Sequence, residues 1–108
     1  MNPKKAQGQL KPCIHYIPTG VILQEAEVMA DGAEEYGRYN WRVQHIEATT
    51  YIDAIFRHLD AWASGEDICP KSRKSHMAHI RANAGILLDA LNHDVLIDDR
   101  LLTEVKSK

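Results

Sequence analysis

Ser75 to Leu91 reads SHMAHIRANAGILLDAL, a proline-free run with a helical rhythm. At about 3.6 residues per turn, Met77, Ile80, Ala84, Leu87, Leu88 and Leu91 fall on one face, which predicts an amphipathic helix with that face in the core. His76, His79 and Asn83 follow at i, i+3 and i+7 along its margin, where core gives way to a cleft. Two imidazoles one turn apart can share a ligand, although an imidazole at such a margin also serves as a plain hydrogen-bonding residue. The opposite side carries Ala78, Ala82, Gly85 and Asp89, small enough for a second helix to approach closely, as at a subunit contact.

A chain of 108 residues holds one domain. Its formal net charge of -2 gives no drive toward a nucleic acid or an anionic membrane, and neither is expected as a partner. Cys13 and Cys69 are far apart and form no CxxC pair, so neither a disulfide framework nor a zinc knuckle is implied and a reducing cytoplasm is expected. MNPKKAQGQLKP has lysines with no apolar run behind them, which speaks against a signal peptide, and no stretch approaches a membrane span.

Residues 1–18, with Pro3, Pro12, Pro18 and Gly8, read as an extended arm pinned at its end by Ile14, Tyr16 and Ile17; residues 19–108 read as a single all-α domain. Thr19 is the candidate cap of a helix ending near Tyr36 before Gly37, with Ile22, Ala26, Met29, Ala33 and Tyr36 as its buried stripe. Glu27, Asp31 and Glu34 run beside that stripe, as a solvated acidic face or as carboxylates aimed at a cation. GRYNWRVQ, from Gly37 to Gln44, reads as a loop in which Asn40 and Trp41 either hold a flat base or plug the fold. A second helix runs from about Thr49 to Ala63, burying Ile52, Ile55, Phe56, Leu59, Trp62 and Ala63, with Ser64-Gly65 closing it. Lys71, Arg73 and Lys74 crowd the start of the His76 helix, capped by Ser72 or Ser75, where unpaired N–H groups suit a phosphate. A last short helix is expected from Asp98 or Asp99 to Val105. The whole predicts a four-helix-bundle-like domain completed in an oligomer.

Carboxylates from the first helix, His58 from the second and His76, His79 and Asn83 from the third can meet, as side chains of facing helices do in bundle metal sites. Such a set suits Mg²⁺ or Mn²⁺ and, with more nitrogen, a transition metal. Beside a phosphate site it suggests metal-assisted phosphoryl or nucleotidyl hydrolysis.

GAEEYGRYNW (32–41), RHLDAWASGEDICP (57–70) and SHMAHIRAN (75–83) resemble, in order, linked segments of the phage and bacterial dATP/dGTP diphosphohydrolase family, a relative of the MazG-like all-α nucleotide pyrophosphohydrolases. The resemblance implies cleavage of a purine deoxynucleoside triphosphate to monophosphate and pyrophosphate, Mg²⁺ or Mn²⁺, and a homodimer or homotetramer, in the cytoplasm of a bacterial host if phage-encoded. Glu34, Asn40, Trp41, Arg57, His58, Glu66, Asp67, His76 and His79 match the family's recurring residues. Glu35 stands where a lysine is usual, and Cys69 where an aspartate is. With the resemblance, Glu34, Glu66 and His79 become the catalytic candidates, and Glu34, Glu66, Asp67, His76 and His79 the metal candidates. Asn40, Trp41, Arg57, His58, Arg73, Lys74 and Asn83 are the substrate-binding candidates. Two competing classes are an HD-type phosphohydrolase, suggested by His93-Asp94, and a helical interaction module without activity.

Overall fold

Two glycines set where helices stop. In the computed structural model, which describes Lys4 and residues 11–101, helix α1 spans Thr19–Tyr36 and ends at Gly37, whose φ of 92° and ψ of 147° suit essentially glycine alone. A five-residue helix α2, Asn40–Gln44, occupies the expected loop. Helix α3 covers Ala48–Ala63, closed by Ser64 and by Gly65 at φ 101°. Helix α4 covers His76–Asn92, and Ser75 caps it by accepting from the N–H groups of Met77 and Ala78. A 3-10 turn at Ile14–Tyr16 precedes them, and its apolar side chains are exposed rather than pinned to the body.

The chain is all-α: among the described residues there is no strand, only isolated bridges between Glu47 and Ile97 and between Ile68 and Ser75. Three long helices and one short one make up that part, so a bundle of four long helices is not formed by it. Asp98 to Leu101 are not helical, and the rest of the expected last helix lies outside the described residues. Asp99 instead accepts from the main-chain N–H and hydroxyl of Thr49, capping α3 from a distance in sequence. Thr19 begins α1 without a capping hydrogen bond; Pro18 holds the cap position.

Helix α4 is the hub against which α1, α2 and α3 all pack. That role shifts the buried face from the expected one: Met77, Ile80 and Leu87 are half-buried, but the most buried positions lie in the alanine row. Ala78, Ala82 and Ala90 are buried, Ala82 at 2% exposure, whereas Leu88 stands 60% exposed and Leu91 is exposed too. A helix flanked by neighbours at about 8–10 Å between axes needs small side chains at the contacts, so the alanine row wins the interior. Gly85 serves the same end: an added Cβ would sit 3.1 Å from the Glu25 carboxylate, which pairs with Arg81 across the α1–α4 contact. Along α1 the covered face is accordingly Val21, Glu25, Val28, Met29, Gly32 and Ala33, while Ile22, Ala26 and Tyr36 are exposed. On α3 the expected stripe is half open: Ile52 and Ile55 are covered, but Phe56, Leu59, Trp62 and Ala63 are exposed, Phe56 at 62%.

Candidate active site at the start of the central helix

The segment between α3 and α4 folds back on itself. The N–H of Glu66 returns to the carbonyl of Ala61, the Cys69 N–H donates to the Lys74 carbonyl, and Arg73 N–H donates to the Cys69 carbonyl. Arg73 takes a left-handed φ of 61° to make the reversal, and His76 N–H donates to the carbonyl of Asp67. This hairpin-like turn sets Cys69 and Ser72 against the first turn of α4, and Lys74 ties it to α1 through an ion pair with Asp31.

Three imidazoles gather there. His76, 4% exposed, meets Glu66 Oε1 through Nε2 at 2.7 Å, and its Nδ1 faces His58 Nδ1 at 2.8 Å. A carboxylate accepts only, so Nε2 of His76 carries a proton; in the neutral ring Nδ1 then presents a lone pair, to which His58 donates from Nδ1. His79 stacks on His58, with ring centroids 4.3 Å apart and planes 5° from parallel, and its Nε2 lies 2.7 Å from the Ser72 hydroxyl.

Burial pushes His58 down to about 4, reinforced by the repulsion it would meet on charging beside His79, His76 and Arg57, and burial with the same repulsion from His76 also lowers His79. Both are neutral imidazoles at pH 7. Burial works to raise the Cys69 thiol, but the N–H and hydroxyl of Ser72 and the N–H of Lys71 outweigh it and bring the thiol below its ordinary value. Ser72 has one hydroxyl proton. It serves either the thiol or His79 at a time, so the protonation of these two side chains is linked.

The cluster opens on a cavity of about 690 Å³, within the size range of small-molecule sites. His58, His79, Cys69, Ser72, Lys71, Asp31 and Asn83 line it, as do Tyr36, Arg38, Tyr39, Asn40 and Trp41. Of the sequence candidates, then, Asn40, Trp41, His58, His79 and Asn83 share one cavity, and His76 stands directly behind His58. Glu34 and Glu27 are exposed and take no part in that lining. Glu66 spends its carboxylate on His76, Asp67 enters through its main-chain carbonyl, and Arg57 and Arg73 are exposed and off the lining. Lys74 is held by Asp31. Trp41, 6% exposed, donates from Nε1 to Asp89 at 2.7 Å and meets Tyr39 edge to face, so it is a wall of the cavity rather than an open stacking surface. Arg42 grips the same carboxylate through two nitrogens at 2.8 Å.

Sequence reasoning missed Ser72 as the partner of His79, Arg38 as a cavity cation and Asp89 as the anchor of α2, whereas Lys71, one of the three cations expected beside the helix start, does line the cavity. Cys69 was visible only as a departure from the family pattern. Its sequence signal is its place in the single turn that joins the two histidine-bearing helices.

Among the described residues, one group of three or more potential ligands comes close enough to hold an ion: His58, Cys69 and His76, whose ligand atoms lie within 4.8 Å of one another. Mg²⁺ takes oxygen ligands in near-octahedral array. Two nitrogens and a sulfur, with Glu34 off the cavity lining and the Glu66 carboxylate bonded to His76, do not fit it. Mn²⁺ also favours oxygen ligands.

A family model described as dATP/dGTP diphosphohydrolase, N-terminal, matches residues 1–100. No curated protein and no solved structure matches the chain. No helix of the described residues is long and apolar enough to cross a membrane.

Proposed function

The chain belongs to the dATP/dGTP diphosphohydrolase family, and from that membership we propose that it hydrolyses a purine deoxynucleoside triphosphate between the α and β phosphates. The observation that carries this reading is the family match across residues 1–100. The cavity supports it: neutral imidazoles, the cations Lys71 and Arg38, and the polar and aromatic groups Asn40, Asn83, Tyr36 and Tyr39 share one cleft. Lys71 and Arg38 hold phosphate oxygens, and Tyr36 and Asn40 on the same lining meet the base.

In the reaction, the oxygen of a water forms a bond to the α-phosphorus as the bond from that phosphorus to the bridging oxygen breaks, and pyrophosphate leaves with the electron pair. The proton of the water passes to the imidazole of His79, which is neutral and oriented by Ser72. Incubation with the common nucleoside triphosphates and Mg²⁺, Mn²⁺, Co²⁺ or Zn²⁺, with products resolved by phosphorus NMR, should show dGTP or dATP giving monophosphate and pyrophosphate. Tripolyphosphate or orthophosphate as the primary product would sink this reading.

The HD-type alternative loses its geometry. His93 and Asp94 lie at the far end of α4, about 25 Å along the helix from His76. The interaction-module alternative predicts that no nucleotide raises the melting temperature.

The same proposal includes a homo-oligomer, a dimer or tetramer that completes the helical bundle. Its support is the amount of large apolar surface left open by single helices: Phe56, Leu59 and Trp62 recur along α3, and Leu88 and Leu91 along α4. Sedimentation equilibrium should show more than one copy per particle, and Leu88→Lys with Leu91→Lys should shift the particle toward the monomer. A wild type that sediments as a monomer at micromolar concentration removes the oligomer.

A further inference from the structure

We propose that His58, Cys69 and His76 form a three-ligand site for a borderline transition ion such as Zn²⁺ or Co²⁺, with its open position toward the cavity. The three side chains come from different segments, α3, the reversing turn and α4, and their ligand atoms already lie within 4.8 Å of one another.

The hydrogen bonds decide which atoms face inward. Glu66 takes the Nε2 proton of His76, leaving Nδ1 as a lone pair aimed at His58. Two Nδ1 atoms 2.8 Å apart require something positive between them. In the metal-free chain it is one proton; a divalent ion accepting both lone pairs replaces it. With metal–nitrogen bonds of about 2.0–2.1 Å in a tetrahedral site, the two nitrogens would stand about 3.3 Å apart. A small rotation of the His58 ring supplies that.

Chemistry selects the ion. Two imidazoles and a thiolate suit Zn²⁺ and Co²⁺, whereas Mg²⁺ demands oxygens. Glu66 behind His76 fixes the ring orientation and raises its basicity, the arrangement that metal-bound histidines ordinarily have. Three protein ligands and one vacant position are the pattern of catalytic rather than structural zinc. Both His58 and Cys69 line the cavity, so the vacant position meets whatever occupies it. That the ion serves triphosphate hydrolysis rests on the function proposed above; the site itself does not.

The test is cobalt titration of the full chain after stripping with a chelator, followed by absorption spectroscopy. The wild type should show a thiolate-to-cobalt charge-transfer band and the intense visible bands of a four-coordinate ion. Cys69→Ser should lose the charge-transfer band, Cys13→Ser should keep it, and Glu66→Gln should keep it while weakening cobalt affinity by about tenfold or more. Far-UV circular dichroism checks that each variant is folded; should Cys69→Ser fail to fold, Cys69→Ala and Cys69→Asp replace it. Absence of the band from the wild type, its survival without Cys69, or its loss with Cys13 overturns the site. Hydrolysis of dGTP in Mg²⁺ without any cobalt spectrum would overturn the site and leave the hydrolase standing. A cobalt-loaded chain inert toward every deoxynucleotide would do the reverse.

Discussion

His79→Ala removes triphosphate turnover and leaves the helical circular dichroism unchanged. The imidazole sits on the first turn of α4, stacked on His58 and bonded to the Ser72 hydroxyl, on the wall of the cavity. Its stacking on His58 is a contact between α4 and α3, but it closes no helix, and alanine is the better helix former at that position. The loss therefore falls on chemistry. A positioned proton acceptor contributes about 10²–10⁴-fold, so kcat should drop by that range with KM changed far less. His79→Gln keeps a hydrogen bond to Ser72 without a basic nitrogen, and it should be as inactive as the alanine variant if proton transfer is the role. Wild-type turnover in either variant would remove His79 from the reaction.

Asp89→Ala should be among the most destabilising single changes in this fold. Its carboxylate accepts from Trp41 Nε1 and from two nitrogens of Arg42, and these bonds fasten α2 to α4. Deleting the acceptor strands the N–H of a buried tryptophan, about 1–3 kcal/mol, and removes charge-assisted bonds of a similar size. Because the two losses share one group they do not add fully, and about 3 kcal/mol is the expected fall in unfolding free energy by urea titration. Asp89 also makes stability depend on acid. The Arg42 guanidinium and then the Trp41 N–H hold its carboxyl well below the usual carboxylate range. Its folded pKa is thus lower than its unfolded one of about 3.9, so the contribution is present above that value and is lost as pH falls through it toward the folded pKa. Asp89→Asn should flatten the acid limb of the stability curve below about pH 4. A stability unchanged by either substitution would mean that α2 is held by packing alone. Since Trp41 is a wall of the cavity, loosening α2 should also raise KM for the nucleotide.

These two side chains differ in how visible they were beforehand. His79 could be read from spacing, because two imidazoles one turn apart share a helix face in any helix. Asp89 could not, since its partners lie 47 and 48 positions away and on the expected face it was simply a small polar residue. The helix limits were likewise local: Gly37 and Gly65 adopt positive φ at the ends of α1 and α3, and Ser75 caps α4, all within a few residues of the signal. The same holds for family membership, carried by three linked motifs.

Hydrophobic periodicity shows that a helix has two faces but not which of them meets its neighbours. On α4 the leucine face and the alanine face each obey a helical repeat, and being flanked by α1 and α3 gave the interior to the smaller side chains. The ligand question turned on the same point. Composition and spacing supplied acids and imidazoles in plenty, yet carboxylates at Glu34 and Glu27 face outward while a cysteine from a reversing turn arrives beside His58 and His76. Local sequence determined an all-α chain, its helix ends and its histidine-bearing face, because those depend on backbone preferences a few residues long. Only tertiary structure decided which donors converge, because that depends on how helices distant in sequence rotate to pack.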